Sequence, residues 1–166
     1  MAMSRTSKVI VGIAIAGGVI LVVLPILLVL SIPAMQSVIR RANETSAIAS
    51  IKDIDTQENA YVSEYPQHGF ACSLVALGGS GGTPSADFAQ LIPEDLASGT
   101  KSGYTFEISC PFPYATYSKL PSRYRLTAVP NTPGHTGNRG FCSDETGEIH
   151  FDPKGGTNCT ELFYQR

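Results

Sequence analysis

Residues 9–34 read VIVGIAIAGGVILVVLPILLVLSIPA, and residues 35–65 continue MQSVIRRANETSAIASIKDIDTQENAYVSEY. The first stretch holds 26 residues without a charge, and Ser31 is its one clearly polar side chain. At about 1.5 Å per residue in a helix it reaches roughly 39 Å, enough for a hydrocarbon core of about 30 Å. It predicts a membrane anchor. It is too long for a signal-peptide apolar core of about 7 to 15 residues, and no A-x-A site follows directly. The second stretch turns amphipathic. Met35, Val38, Ile39 and Ala42, then Ile48, Ile51, Ile54, Tyr61, Val62 and Tyr65, recur at helical spacing. Arg40, Arg41, Lys52, Asp53, Asp55 and Glu64 fill the intervals. Together the two stretches predict one helix of about 55 residues, half in lipid and half out, ended by Pro66 and Gly69.

Within the apolar half, Gly12, Gly17 and Gly18 are small enough to let another helix approach. Pro25 and Pro33 each remove a backbone hydrogen bond and predict bends. Residues 66–103 read as a connecting region with short helical turns at 73–77 and 93–97. The Gly78 to Gly82 segment between them is no phosphate loop, because no Lys-Ser or Lys-Thr follows at the required spacing.

After Gly103 the period becomes two. Residues 104–108 (YTFEI) and 124–129 (YRLTAV) alternate, and shorter strands at 140–143 and 148–151 flank Asp144-Glu145-Thr146-Gly147, a hairpin turn. Three or four antiparallel strands result. Their apolar face needs cover, and the amphipathic half of the first helix is the one long surface that supplies it. The predicted fold class is α+β. Residues 152–166 read as a C-terminal loop.

The chain has 166 residues and a net charge of −2. Arg5 and Lys8 precede the apolar run, so 10 of the 12 basic residues and all 14 acidic ones follow it, a net of −4. That balance argues against a nucleic-acid partner, which needs a basic face. All four cysteines, Cys72, Cys110, Cys142 and Cys159, also follow the run and none forms a CxxC pair. An even count in a loop-rich domain predicts two disulfides, with Cys142 to Cys159 and Cys72 to Cys110 favoured of the three connectivities. Disulfides need an oxidising compartment. The positive-inside count is nearly tied, so the cysteines decide the orientation: N-terminus cytoplasmic, C-terminal domain periplasmic or extracellular.

Chemistry is sparse. His68, His135 and His150 stand alone, with no HExxH or HxH spacing, and there is no GxSxG elbow. Nothing assembles a nucleophile, a base and an oxyanion donor, so no enzyme, cofactor or small-molecule substrate is expected. Asp144, Glu145 and Asp152 offer hard oxygens that suit calcium, but their spacing matches no EF-hand and a solvated turn is the simpler reading.

An N-terminal helix, half apolar and half amphipathic, laid on a small antiparallel sheet, resembles the type IV pilins and type II secretion pseudopilins. Residues 30–36 (LSIPAMQ) look like the point where a pilin helix leaves the membrane. Residues 43–51 (NETSAIASI) with Ala60-Tyr61 resemble the helix of pilin-like proteins, 98–106 (SGTKSGYTF) their first strand with its lead-in, and 137–149 their last hairpin. The likeness covers most of residues 30–151. It implies a pilin-like fold and a structural subunit, with calcium near the C-terminus as in some major pseudopilins. Its partners would be copies of itself or other pilin-like subunits, in a filament or pseudopilus. The helix packing would run through Gly12, Gly17, Gly18, Pro25, Pro33, Met35, Val38, Ile39, Ala42, Ile48 and Ile51. The chain departs from the family at one place. Members carry a leader ending in Gly and a Glu five residues into the mature chain. Five residues beyond Gly12, Gly17 and Gly18 stand Gly17, Val22 and Val23, and no acidic residue precedes Glu44. An anchored, uncleaved monomer that binds a partner is therefore the second expectation. The resulting organisation is a tail at 1–8, an anchor at 9–34 and a domain at 35–166, with its helix to about 65, loops at 66–103, sheet at 104–151 and C-terminal loop at 152–166.

Overall fold

The helix that begins the chain, α1 (Arg5–Glu64), runs through both Pro25 and Pro33 and stops one residue before Tyr65-Pro66. A proline at 66 biases Tyr65 away from helical geometry, and Gly69 takes a positive φ of 73° just beyond. The structure is a computed structural model that describes residues 5–80, 82–110 and 120–162; within residues 5–34 the side chains are described at Gly18, Ile20 and Leu21 alone. The chain forms two units, Met1–Val38 and Ile39–Arg166.

In the first unit, Ile20, Leu21, Met35 and Val38 are exposed. Among the described residues no helix is long and apolar enough to cross a membrane; of the run 9–34 the side chains lie outside those described except at Gly18, Ile20 and Leu21. The packing expected of Gly12, Gly17, Pro25 and Pro33 lies outside them too. Gly18 has open space around it.

In the second unit, α1 packs on an antiparallel sheet, which makes the domain α+β. Among the described residues the sheet has six strands rather than three or four: β1 (Thr100–Lys101), β2 (Tyr104–Ser109), β3 (Arg125–Pro130), β4 (Gly140–Asp144), β5 (His150–Asp152) and β6 (Glu161–Leu162). Each pairs with the next, in the order β1-β2-β3-β4-β5-β6. The two additional strands, β1 and β6, are two residues each and carry no alternation to betray them. The C-terminal segment is accordingly not all loop, since His150 pairs with Leu162 and Phe151 with Glu161.

Register follows from the pleat. Phe106 stands opposite Ala128, Ile108 opposite Leu126 and Ala128 opposite Phe141, and all five are buried. A shift by one residue would turn this row to solvent. Ala47, Ile48, Ile51, Ile54 and Tyr61 of α1 complete the core with these strands. Their spacing places them on one face of the helix. The segment between α1 and β1 closes one end of the core. It holds α2 (Leu74–Leu77), whose first turn is capped by Ser73, and α3 (Glu94–Ala97). Backbone bonds from Ala89 to Ala76 (2.8 Å) and from Leu91 to Leu77 (2.7 Å) hold the loop between them.

Candidate functional site

The face that α1 turns to the sheet is not purely apolar. Glu44, Asp55 and Glu58 lie on it and are buried, each taking hydrogen bonds from a different part of the domain. Sequence spacing had placed Asp55 among the charges of the solvent side; the structure puts it inside. Buried charges persist only where donors satisfy them, and the donors come from elements far away in sequence.

Glu44 is bonded to the segment entering β4. Its Oε1 accepts the Asn138 N–H at 2.8 Å, and its Oε2 accepts from Arg139 Nη2 at 2.7 Å and Nε at 3.0 Å. The Arg139 guanidinium also lies 5.4 Å from the Phe141 ring centroid and 5.5 Å from that of Phe151, within cation–π range. Asp55 accepts from the Tyr124 hydroxyl at 2.8 Å and from the Ser143 hydroxyl at 2.7 Å, and so joins the helix to β4 and to the residue before β3. Burial raises the Asp55 pKa against the opposing effect of these two bonds, and burial followed by the Asp55 charge raises that of Tyr124. Glu58 accepts the Ala71 N–H at 2.9 Å through Oε2, while its Oε1 has no partner among the described residues. Burial pushes its carboxyl up to about 8, only partly offset by that N–H.

Both expected disulfides are present. Cys72 joins Cys110 and Cys142 joins Cys159, with Cα separations of 5.3 and 6.0 Å. The first ties the segment after α1 to the end of β2. The second ties β4 to the segment that leads into β6.

The residues expected to pack between helices divide into two sets. Met35, Val38, Ile39 and Ala42 are exposed. Ile48 and Ile51 are not available to a neighbour, because both are buried in the core of their own domain. The correction has a simple cause: at about 3.6 residues per turn Ile48 and Ile51 lie roughly half a turn round from Met35, Val38, Ile39 and Ala42, on the face that the sheet covers.

The oxygens considered for calcium do not converge, and no group of three or more metal-ligating side chains forms among the described residues. Each has its own partner. Asp144 Oδ1 accepts from the Thr146 N–H (2.9 Å) and hydroxyl (2.6 Å), Glu145 meets Arg123 at 3.2 Å, and Asp152 accepts from the N–H groups of Lys154 (2.9 Å) and Asn158 (3.2 Å). A cleft of about 440 Å³ opens beside the β4–β5 hairpin, lined by Arg123, Arg125, Ser143, Asp144, Glu148 and His150 among others. Its charges are engaged internally, with Arg125 Nη2 on the Thr157 carbonyl at 2.6 Å and His150 Nε2 at 3.9 Å from Glu148. Of the other two histidines, His68 meets the Tyr65 ring edge-on and His135 is exposed in a loop.

Sequence reasoning missed the seam of buried acids. The available signal was that Glu44, Asp55 and Glu58 share the helical spacing of Ala47, Ile51 and Ile54. Compared with protein-family models, with curated proteins and with solved structures, the chain matches none of them.

Proposed function

We propose that this chain is a structural, pilin-like subunit without enzymatic activity. The run 9–34 holds it in a membrane, the domain stands on the periplasmic or extracellular side, and α1 packs against copies of itself or related subunits. One contrast along α1 carries the reading. Ile51 and Ile54 are wholly buried against the sheet, while Met35 and Val38, roughly half a turn round the helix from them, are 69% and 65% exposed, and Ile39 is 49% exposed. Large apolar side chains repeated on a helix and left open to solvent mark an interaction surface. Two disulfides fit an oxidising compartment. Shearing cells and examining the sheared fraction by electron microscopy and immunodetection tests assembly. Filaments containing the chain are expected; monomer alone in detergent extracts and no sheared filament would remove assembly from the account.

A second reading has its own observation. No acidic residue precedes Glu44, and Glu44 is engaged by Arg139 in its own domain. An uncleaved, tethered monomer that binds a partner would have this character. Intact mass and N-terminal peptide mapping of the native protein separate the two. A start just after Gly12, Gly17 or Gly18 with an added methyl supports the filament subunit, and a start at Met1 or Ala2 supports the tethered module.

A further inference from the structure

Arg40 and Arg41 are the first charges after the apolar run, and neither role described so far uses them. Arg40 is built into the domain. Its Nη1 donates to the Gly134 carbonyl at 2.6 Å. Within the next turn Asn43 Nδ2 donates to the Thr136 carbonyl at 2.8 Å, and Glu44 takes the Asn138 N–H. Arg40 and Asn43 thus hold the loop 131–137 along the first turns of the domain's helix, and Glu44 holds Asn138 just beyond it. The loop is also closed on itself, with bonds from the Gly134 N–H to the Gly137 carbonyl at 2.8 Å and from the Thr136 N–H to the Thr132 carbonyl at 2.9 Å. Thr132, Pro133 and His135 are exposed on it.

The charges at this end are of one sign. No acidic residue lies before Glu44, and Glu44 is neutralised by Arg139. Among the described residues neither Arg40 nor Arg41 enters an ion pair. Yet the chain beyond the apolar run is acidic as a whole. A guanidinium carries five N–H donors, so one bond to a carbonyl leaves Arg40 donors enough to grip a phosphate.

We propose that Arg40, Arg41 and the loop 131–137 form a collar that binds the phosphate headgroups of anionic lipid and seats the domain on the membrane surface. The inference rests on the reading of 9–34 as an anchor. On that reading Arg40 follows the last anchor residue by six positions, about 9 Å along a helix, from which a long arginine side chain reaches back to the headgroup layer. The positive end then meets a negative surface while the acidic remainder is repelled from it. The occupant is the bilayer itself, and because Arg40 is bonded to Gly134, lipid contact at the arginines brings the loop down with it.

The chain contains no tryptophan, so Thr132→Trp places a single reporter on the loop without touching the backbone bonds made by residue 132. The full-length protein would be reconstituted into nanodiscs of phosphatidylcholine, with or without phosphatidylglycerol, using brominated lipid as quencher. In the anionic discs the reporter is expected to shift to the blue and be quenched. Each arginine replaced by glutamine lowers the docked-to-undocked ratio by about fivefold, and high salt abolishes the difference between the two disc types. Arg41→Gln removes charge without touching the Gly134 bond, so its effect cannot be traced to a lost fold contact. Equal emission and quenching in both disc types, or no change in R41Q and in R40Q/R41Q, would overturn the collar while leaving the anchor standing. Release of the wild-type chain from native membranes by alkaline carbonate would overturn the anchor, and the collar with it.

Discussion

Arg139 Nη2 stands 2.7 Å from Glu44 Oε2, joining the start of the domain's helix to the entry of β4 across 95 residues of chain. The carboxylate is nearly buried and the guanidinium about a third exposed. Removing one partner of such a pair leaves the other desolvated and unanswered. Glu44→Ala is expected to destabilise the domain by about 2 to 4 kcal/mol, read as a lower urea midpoint at unchanged slope. Glu44→Gln, which keeps one acceptor for the Asn138 N–H, should fall between.

Glu58 makes stability depend on pH. Its carboxyl is pushed from 4.5 to about 8 in the folded domain. The fold therefore binds a proton that the unfolded chain has given up, and stability falls as pH rises from 4.5 through about 8. The burial-raised pKa of Asp55 acts in the same direction. Glu58→Gln keeps an acceptor for the Ala71 N–H and carries no charge at any pH. It should flatten the profile and gain about 2 to 3 kcal/mol on wild type near pH 8. Thermal melts across the range would show it, and parallel profiles would refute the assignment.

The two disulfides should contribute unequally. They close loops with sequence separations of 38 and 17. If constraint of the unfolded chain dominates, removing Cys72–Cys110 costs about 0.7 kcal/mol more than removing Cys142–Cys159, each in the range of about 2 to 4 kcal/mol. Paired Cys→Ser variants compared in chemical denaturation measure the difference. An unchanged melting temperature in reducing agent would count against both.

Gly140 tolerates no side chain. A Cβ there would run into the carbonyl oxygen of Gly156, backbone against backbone, with no flexible group to move aside. Gly140→Ala is expected to separate the 155–156 turn from β4 and destabilise by more than about 2 kcal/mol, seen as faster proteolysis in the segment around Cys159. Gly147→Ala is the contrast. It meets nothing within 4 Å but sits at a φ of 72°, so only backbone strain of about 1 kcal/mol opposes it.

Much of this architecture was readable because burial imposes a period. Tyr104, Phe106 and Ile108 alternate with Thr105 and Glu107, and the inner face of α1 repeats through Ala47, Ile51 and Ile54, so strands and helix announce themselves. The favoured cysteine pairing, Cys142–Cys159 closing the C-terminal loop and Cys72–Cys110, is the one present. What stayed hidden lacks a period or depends on distant partners. Two-residue strands such as Glu161–Leu162 have no pattern and exist because β5 offers an edge. Asp55 reads as a surface charge until Tyr124 and Ser143 are brought to it from 69 and 88 residues away. The division of the apolar helix positions into two faces was present in the spacing, since Ile51 and Ile54 stand roughly half a turn round from Met35 and Val38; which face the sheet covers was not.

The meander of the sheet has a consequence in time. Every strand pairs with its neighbour in the chain, so the sheet can grow in the order in which the polypeptide arrives. The helix cannot share that schedule. Its inner face at Ile48, Ile51 and Ile54 emerges early, yet Leu126 and Phe141, which cover it, come later, and Arg139 reaches Glu44 only 95 residues after it. For that interval the face carrying Ala47, Ile48, Ile51 and Ile54 is as open as the face carrying Met35, Val38, Ile39 and Ala42, and only the first is later covered. A newly made copy is thus most prone to pair wrongly before β4 has arrived, and closure of the Glu44–Arg139 pair ends that period.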